Sequence, residues 1–170
     1  MLNIEIREEH KSDIDAIHLL TEEAFRPMPF AGGDEQDVIV RLRACGALTL
    51  SLVAVSAGGV VGQITFSPAT AEDKSSPWFA LGPVSVAPDR QGEGIGGQLI
   101  NAGLELIDAM GALGCILTGN PVYYSRFGFM VSAKHSPENE PGEYFQLKLL
   151  AGKSPLGRFA FHDAFYGEVK

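Results

Sequence analysis

Apolar and polar positions along this 170-residue chain follow two distinct periods, and the switches between them mark its elements. From Leu2 to Arg7 they alternate one for one, which predicts a first strand. Ser12 or Asp13 can cap a helix running to about Phe25, with Ile14, Ile17, His18, Leu20 and Ala24 near its inward face. Arg26-Pro27-Met28-Pro29-Phe30-Ala31-Gly32-Gly33 breaks it. A second helix, Asp34 to Ala44, turns Val38, Leu42 and Ile39 inward, and Gly46 marks its end. Leu48–Ser56 and Val60–Ser67 read as strands joined by Ala57-Gly58-Gly59, a hairpin signal. Pro68 to Pro77 reads as a polar connection. Trp78 to Ala87 is the next strand, interrupted by Gly82-Pro83, where a missing N–H and a permissive glycine predict a bulge or splay.

The clearest helical period follows. Ile95, Leu99, Ala102, Gly103, Leu106, Ile107 and Met110 repeat at spacings of three and four, while Gln98, Asn101, Glu105 and Asp108 occupy the opposite face. Gly111 and Gly114 bracket its end. Cys115-Ile116-Leu117-Thr118 is a short apolar strand, and Phe129–Val131 and Tyr144–Leu150 are late strands. The tail from Gly152 to Lys170 carries Phe159, Phe161, Phe165 and Tyr166, so it packs on the domain or adds one more strand. The order β-α-α-β-β-β-α-β-α predicts an α/β (α+β) architecture, residues 1–170 forming a single domain. No internal repeat or low-complexity segment appears.

Composition narrows the function classes. A 45% hydrophobic and 20% charged chain is ordinary for a soluble globular protein. A net charge of −8 and a pI near 4.9 argue against nonspecific binding to nucleic acid or to anionic membranes. There is no apolar leader and no apolar run approaching membrane-spanning length, so the cytoplasm is the expected location. Of two cysteines, Cys115 lies in an apolar strand pattern and reads as a buried free thiol. No His/Cys cluster has metal spacing, so no metal is expected.

One segment carries chemistry. Val84-Ser85-Val86-Ala87-Pro88-Asp89-Arg90-Gln91-Gly92-Glu93-Gly94-Ile95-Gly96-Gly97-Gln98-Leu99 reads as a strand end, a glycine-rich turn and a helix start. Unpaired N–H groups there can converge on an anion, aided by the helix dipole. Gly92, Gly94 and Gly97 formally satisfy the dinucleotide fingerprint. However, Pro88-Asp89-Arg90-Gln91 separates strand from glycines, and no further βαβ units follow. A Walker A loop needs Lys then Ser or Thr, and position 98 is Gln. Gln91-x-x-Gly94-x-Gly96 after a strand resembles instead the acetyl-CoA pyrophosphate loop of the GNAT superfamily of N-acetyltransferases. A turn with no ligand is the bland alternative.

A second segment strengthens the resemblance. Asn120-Pro121-Val122-Tyr123-Tyr124-Ser125-Arg126-Phe127-Gly128-Phe129 follows a strand and is similar to the GNAT signature of a short helix bearing Tyr, then Gly-Phe. With Leu81-Gly82-Pro83-Val84-Ser85-Val86, it looks most like the YhbS-like branch. The resemblance implies a GNAT fold: a mixed central sheet of about six or seven strands, helices on both faces, splayed after the fourth strand. It implies acetyl-CoA as donor and direct transfer of acetyl to a primary amine, on a small molecule or a peptide, and it allows a homodimer. It places the cofactor on Val84, Ser85, Val86, Gln91, Gly92, Glu93, Gly94, Ile95, Gly96, Gly97 and Asn120.

The chemistry those residues would perform is concrete. By that resemblance, backbone amides from Gln91 to Gly96 would hold the pyrophosphate, and the edge of Val84–Val86 would pair with the pantetheine. A backbone N–H near Val84 polarises the thioester carbonyl. Tyr124 takes the place of the tyrosine that protonates the leaving thiolate; simple packing of Tyr123 and Tyr124 is the structural alternative. Asn120 either contacts the cofactor arm or caps the helix that Pro121 begins. Trp78–Pro83 offers no carboxylate, so the general base is unassigned. Glu35, Asp37 and His135 are conceivable substitutes, each more ordinarily a solvated surface group. Glu93 is expected to face solvent, and Arg90 either holds a phosphate or is an ordinary exposed arginine. The missing carboxylate leaves a different class open, a non-catalytic acyl-CoA-binding or sensing module on the same fold.

Overall fold

The N-terminal alternation becomes β1 (Glu5–Glu8), which pairs antiparallel with β2 (Leu50–Ser56). The computed structural model describes residues 3–29 and 31–167. Leu2, Phe30 and the tail end 168–170 lie outside the described residues. Asp13 starts α1 (Ile14–Phe25): its carboxylate accepts the His10 N–H at 2.6 Å and grips the Arg7 guanidinium at 2.7 and 3.2 Å. The chain continues through α2 (Glu35–Ala44), β3 (Gly59–Ala71), β4 (Trp78–Val86) and α3 (Ile95–Ala109). It ends with β5 (Gly114–Thr118), α4 (Pro121–Tyr124), β6 (Met130–Val131), β7 (Phe145–Leu149) and β8 (Phe159–Ala160).

The sheet runs β1-β2-β3-β4-β5-β7-β6, with β8 paired to β3. Among the described residues it therefore has eight strands rather than six or seven; β6 and β8 are two-residue additions. Only three residues of β4, Trp78–Ala80, pair with β5, in parallel against Gly114–Ile116. The ladder stops there, just before Gly82-Pro83, as the expected splay requires. Pro83 has no N–H to offer a ladder.

The chain forms two compact units, Met1–Phe66 with Gly82–Gly103 and Asp163–Lys170, and Ser67–Leu81 with Leu104–His162. In the first, Ala57 (φ +52°) and Gly58 (φ +81°) make the tight turn of the β2–β3 hairpin. Val53 opposes Gln63 and Ala54 opposes Gly62. Adjacent residues of a strand face opposite ways. Val53 accordingly packs with Ile17 of α1 and Ile39 of α2. On the other face Gly62 lies so close to α3 that a Cβ there would meet Ile95 and Leu99 at 3.0 Å. Helices thus cover both faces of this unit's sheet. The C-terminal turn packs Ala164 against Val38, Leu42 and Ala47, and the Arg41 Nε–H donates to Ala164 O at 2.8 Å.

The second unit corrects the reading of Pro68–Pro77 as a connection. β3 continues to Ala71, with Ala69 and Ala71 buried and Pro68 and Thr70 exposed. What extends it is β8, whose Ala160 and Phe159 pair with Thr70 and Ala71. The tail is therefore both packed and stranded. Trp78 meets Phe159 edge-on at 4.8 Å and its indole N–H donates to Ser75 Oγ at 2.9 Å. The buried stripe of α3 also differs from expectation. Ile100 and Leu104 are buried beside Leu99 and Ile107, whereas Leu106 and Met110 are 40% and 49% exposed. Cys115 is a buried free thiol, as its apolar surroundings in the sequence predict.

Candidate functional site

Val84, Ser85 and Val86 end β4, and the backbone alternation there decides what each can do. The Ala87 N–H donates to Val61 O on β3 at 2.8 Å. With a period of two, Ser85 shares that direction through its backbone, and the N–H and C=O groups of Val84 and Val86 point away from β3. This is the edge that the β5 ladder leaves unpaired beyond Ala80. The Ser85 side chain turns inward and is 3% exposed, so only its backbone is available to a ligand.

A single 3-10 turn, Pro88–Arg90, carries the chain into the glycine-rich loop. Gly92 and Gly94 adopt φ of +83° and +84°, where a side chain is strained. A Cβ on either would meet no protein atom within 4 Å, so the loop's outer surface is open. Gly94 O accepts the Gln98 N–H at 3.1 Å, beginning the helix and leaving the amides of Ile95, Gly96 and Gly97 as first-turn donors without helical partners. The Ile95 side chain is 1% exposed and anchors that helix start against Gly62. The Gln91 side chain folds back, its Nε2 donating to Val86 O at 3.1 Å.

The charges in the loop pair with each other. Arg90 Nε and Nη2 donate to Glu93 Oε2 and Oε1 at 2.8 and 3.1 Å. The guanidinium holds the Glu93 carboxyl below its ordinary range, chiefly by hydrogen bonding. Glu93 is exposed, as expected, and its negative charge is answered by Arg90.

In the second unit, Asn120 Oδ1 accepts the Val122 N–H at 2.9 Å with Pro121 in the first helical position. The side chain thus caps α4. Tyr124 closes that helix, packed edge-on to Tyr123 at 5.0 Å and to Phe129 at 6.0 Å. Gly119 makes room for its ring, since a Cβ there would come within 2.8 Å of Tyr124 Cε2. Burial pushes the phenol's pKa up, with Tyr123 and Cys115 adding to the shift. The phenol therefore stays protonated and neutral across the physiological range.

The three substitute bases part company. Asp37 is exposed. His135, expected at the surface, is buried at 5% exposure. Its Nε2 lies 2.9 Å from Pro155 O, an acceptor only, and its Nδ1 lies 2.6 Å from Ser132 Oγ. Both ring nitrogens are committed, so it is a structural histidine. Glu35 lines a cavity of about 340 Å³ with Glu22, Phe25, Arg26, Met28, Ala31, Gly33 and Gln36. Its Oε2 accepts the Gly32 N–H at 2.8 Å, while its Oε1 is buried without a partner among the described residues. Sequence spacing gave no reason to single it out from Asp37. Among the described residues no group of acidic, histidine or cysteine side chains is arranged for a metal, and no helix is long and apolar enough to cross a membrane.

Comparison with known proteins fits this geometry. A family model for an acetyltransferase (GNAT) domain matches residues 48–131. The uncharacterized N-acetyltransferase YhbS of Escherichia coli (strain K12) is 35% identical over 107 residues, 62% of this chain and 64% of that protein. The match therefore spans a little under two thirds of this curated relative. The crystal structure of a GNAT family acetyltransferase from Brucella melitensis in complex with acetyl-CoA superimposes with a TM-score of 0.86 at 44% identity, covering 96% of this chain and 98% of that one. The structure of YhbS from Escherichia coli in complex with CoA gives 0.88 at 29% identity, covering 98% and 93%. With this fold, this loop and a relative of 44% identity along nearly its whole length, the chain belongs to the GNAT acetyltransferase family.

Proposed function

We propose that this protein binds acetyl-CoA along the β4 edge and the Gln91–Gly97 loop and transfers its acetyl group to a primary amine, residues 1–170 acting as one catalytic domain. The observation that carries the reading is the open, side-chain-free surface over Gly92 and Gly94 at the start of a 15-residue helix. Partnerless amides there suit a pyrophosphate. Relatives crystallised with acetyl-CoA and with CoA support it.

The thioester supplies an activated acetyl carbon. The amine's lone pair forms the new C–N bond as the C–S bond breaks, and the departing sulfur takes its proton from the Tyr124 hydroxyl. The phenol regains a proton from solvent; an amine that arrives as the cation gives up one proton to water or a base before it attacks, and a second once the C–N bond has formed. Fixing both reactants in one site removes much of the entropic barrier, about 7–11 kcal/mol in favourable systems. The cavity beside Glu35 suits the acceptor, because a carboxylate oxygen with no partner among the described residues attracts a cationic amine and Phe25 and Met28 offer apolar walls. Asn120 serves by capping the helix that presents Tyr124. Cytoplasmic location and a homodimer complete the proposal.

The absence of a carboxylate on β4 favours the second reading, a non-catalytic acyl-CoA sensor. Calorimetric titration with acetyl-CoA, with NAD and ATP as controls, tests both readings at the level of the ligand. Selective acetyl-CoA binding is expected; no binding overturns both. Thiol release with a panel of primary amines then separates enzyme from sensor.

A further inference from the structure

A chain of buried polar side chains runs from β3 through β4 to α1, and none of the chemistry above uses it. Gln63, Thr65 and Thr21 are 0% exposed and Ser85 is 3% exposed. Gln63 Nε2 donates to Ser85 Oγ at 2.7 Å and to Pro83 O at 3.1 Å. The Thr65 hydroxyl donates to Gln63 Oε1 at 3.0 Å. Ser85 Oγ and Thr21 Oγ1 are 3.0 Å apart, and Thr21 Oγ1 donates to Ile17 O at 2.7 Å.

Counting protons leaves one arrangement. Each hydroxyl has a single proton and the amide has two. Ile17 O and Pro83 O accept only. Thr21 therefore spends its proton on Ile17 O, so the Ser85 hydroxyl must donate to Thr21 Oγ1. Ser85 Oγ then accepts one amide proton of Gln63, and Pro83 O accepts the other. Thr65 holds the amide oxygen and so fixes which way round the carboxamide sits. Every proton is assigned and all point one way, from Thr65 to Ile17. Reversing any member would leave a buried donor or acceptor unpaired.

The consequence falls on the backbone. In a trans peptide the C=O and the following N–H point in opposite directions. Holding Pro83 O on the Gln63 amide turns the Val84 N–H away from Gln63, toward the β4 edge that faces away from β3.

We infer that Gln63 is a positioning residue: its carboxamide, locked by Thr65 and Ser85, aims the Val84 N–H at the thioester carbonyl oxygen of bound acetyl-CoA. This rests on the proposed use of the β4 edge by acetyl-CoA. Gln63 touches neither reactant; it acts through the Pro83–Val84 peptide. A correctly aimed donor at the oxygen where charge develops matters greatly, since losing one can cost about 10²–10³ in rate.

The test is infrared spectroscopy of acetyl-CoA labelled with ¹³C at the thioester carbonyl, bound to the wild type and to Gln63→Met. The wild type is expected to lower the carbonyl stretching frequency relative to free acetyl-CoA. Gln63→Met is expected to return it toward the free value while the dissociation constant changes no more than about threefold, well under the tenfold that 1.4 kcal/mol represents. A band equally lowered in the variant overturns the inference, as does an unshifted band in a wild type that binds. Failure of the wild type to bind overturns the parent reading as well. Should Gln63→Met not fold, amide NMR of the wild type decides: the Val84 N–H moves downfield on binding and both Gln63 amide protons resist exchange. A Val84 resonance that does not respond, or freely exchanging Gln63 protons, refutes the aim.

Discussion

Arg90 and Glu93 are joined at two points, Nε to Oε2 at 2.8 Å and Nη2 to Oε1 at 3.1 Å, inside the loop that would hold a pyrophosphate. An arginine that otherwise would attract the anion is thereby occupied, and a carboxylate that would repel it is neutralised. Glu93→Gln releases the guanidinium and removes the repelling charge together. Acetyl-CoA is expected to bind a few-fold more tightly to the variant at low salt, and the gain should shrink as salt screens it. Calorimetry at two ionic strengths checks this; weaker binding would mean that the pair holds the loop in shape.

Gly94→Val should abolish tight acetyl-CoA binding. Its φ of +84° costs a side chain about 1–2 kcal/mol, and the new methyls would fill the open space over the loop. A loss of at least about tenfold in affinity is expected, with little change in the far-ultraviolet circular dichroism. Unchanged affinity would remove the loop from the cofactor site.

Tyr124→Phe is expected to lower turnover about 100-fold or more while leaving the acetyl-CoA dissociation constant nearly unchanged. The wild-type profile carries a further signature. Burial raises the phenol's pKa, so no alkaline loss of activity below about pH 10 should trace to this residue. Retention of full activity in Tyr124→Phe across pH and amines would exclude it as the acid.

Gly103→Ala should destabilise the fold, although alanine favours helices by about 1 kcal/mol. A Cβ there would run into the fully buried ring of Phe66. Overpacking of this kind costs about 1–3 kcal/mol, to be read from the urea midpoint. A gain in stability would show that the α3–β3 contact relaxes freely.

Stability should fall away at both ends of the pH scale, for opposite reasons. The Arg7 hydrogen bond, with that from the His10 N–H, lowers the Asp13 pKa in the fold. That stabilisation is present above the unfolded value near 3.9 and is lost as pH falls through the lower folded value. Burial raises the pKa of Cys115 and of Tyr124. Stability is full below their unfolded values, about 8.5 and 10, and declines as pH rises past them toward the folded values. Melting temperatures across pH check both limbs, and Asp13→Asn should flatten the acid one.

Much of the site was legible because it is contiguous. Gln91 to Gly97 announces its loop through glycines that only a left-handed or closely approached backbone demands, and Asn120-Pro121 spells a helix start. Gln63, Thr65 and Thr21 gave no such signal. They sit among apolar neighbours on two separate segments, β3 and α1, and polar residues inside a strand or helix pattern read as interruptions until the fold sets them against Ser85.

Local sequence was enough for the helices, most strands, the hairpin turn and the glycine-rich loop, because each depends on residues within a few positions of one another. The tertiary structure alone decided that β3 runs on to Ala71, since the pairing that extends it comes from Phe159 and Ala160, some ninety residues later. It likewise chose Ile100 and Leu104 over Leu106 and Met110 as the buried stripe of α3, and took His135 out of water onto Pro155. Those outcomes depend on partners distant in the chain. Spacing records which residues can share a face, but not which face finds something to pack against.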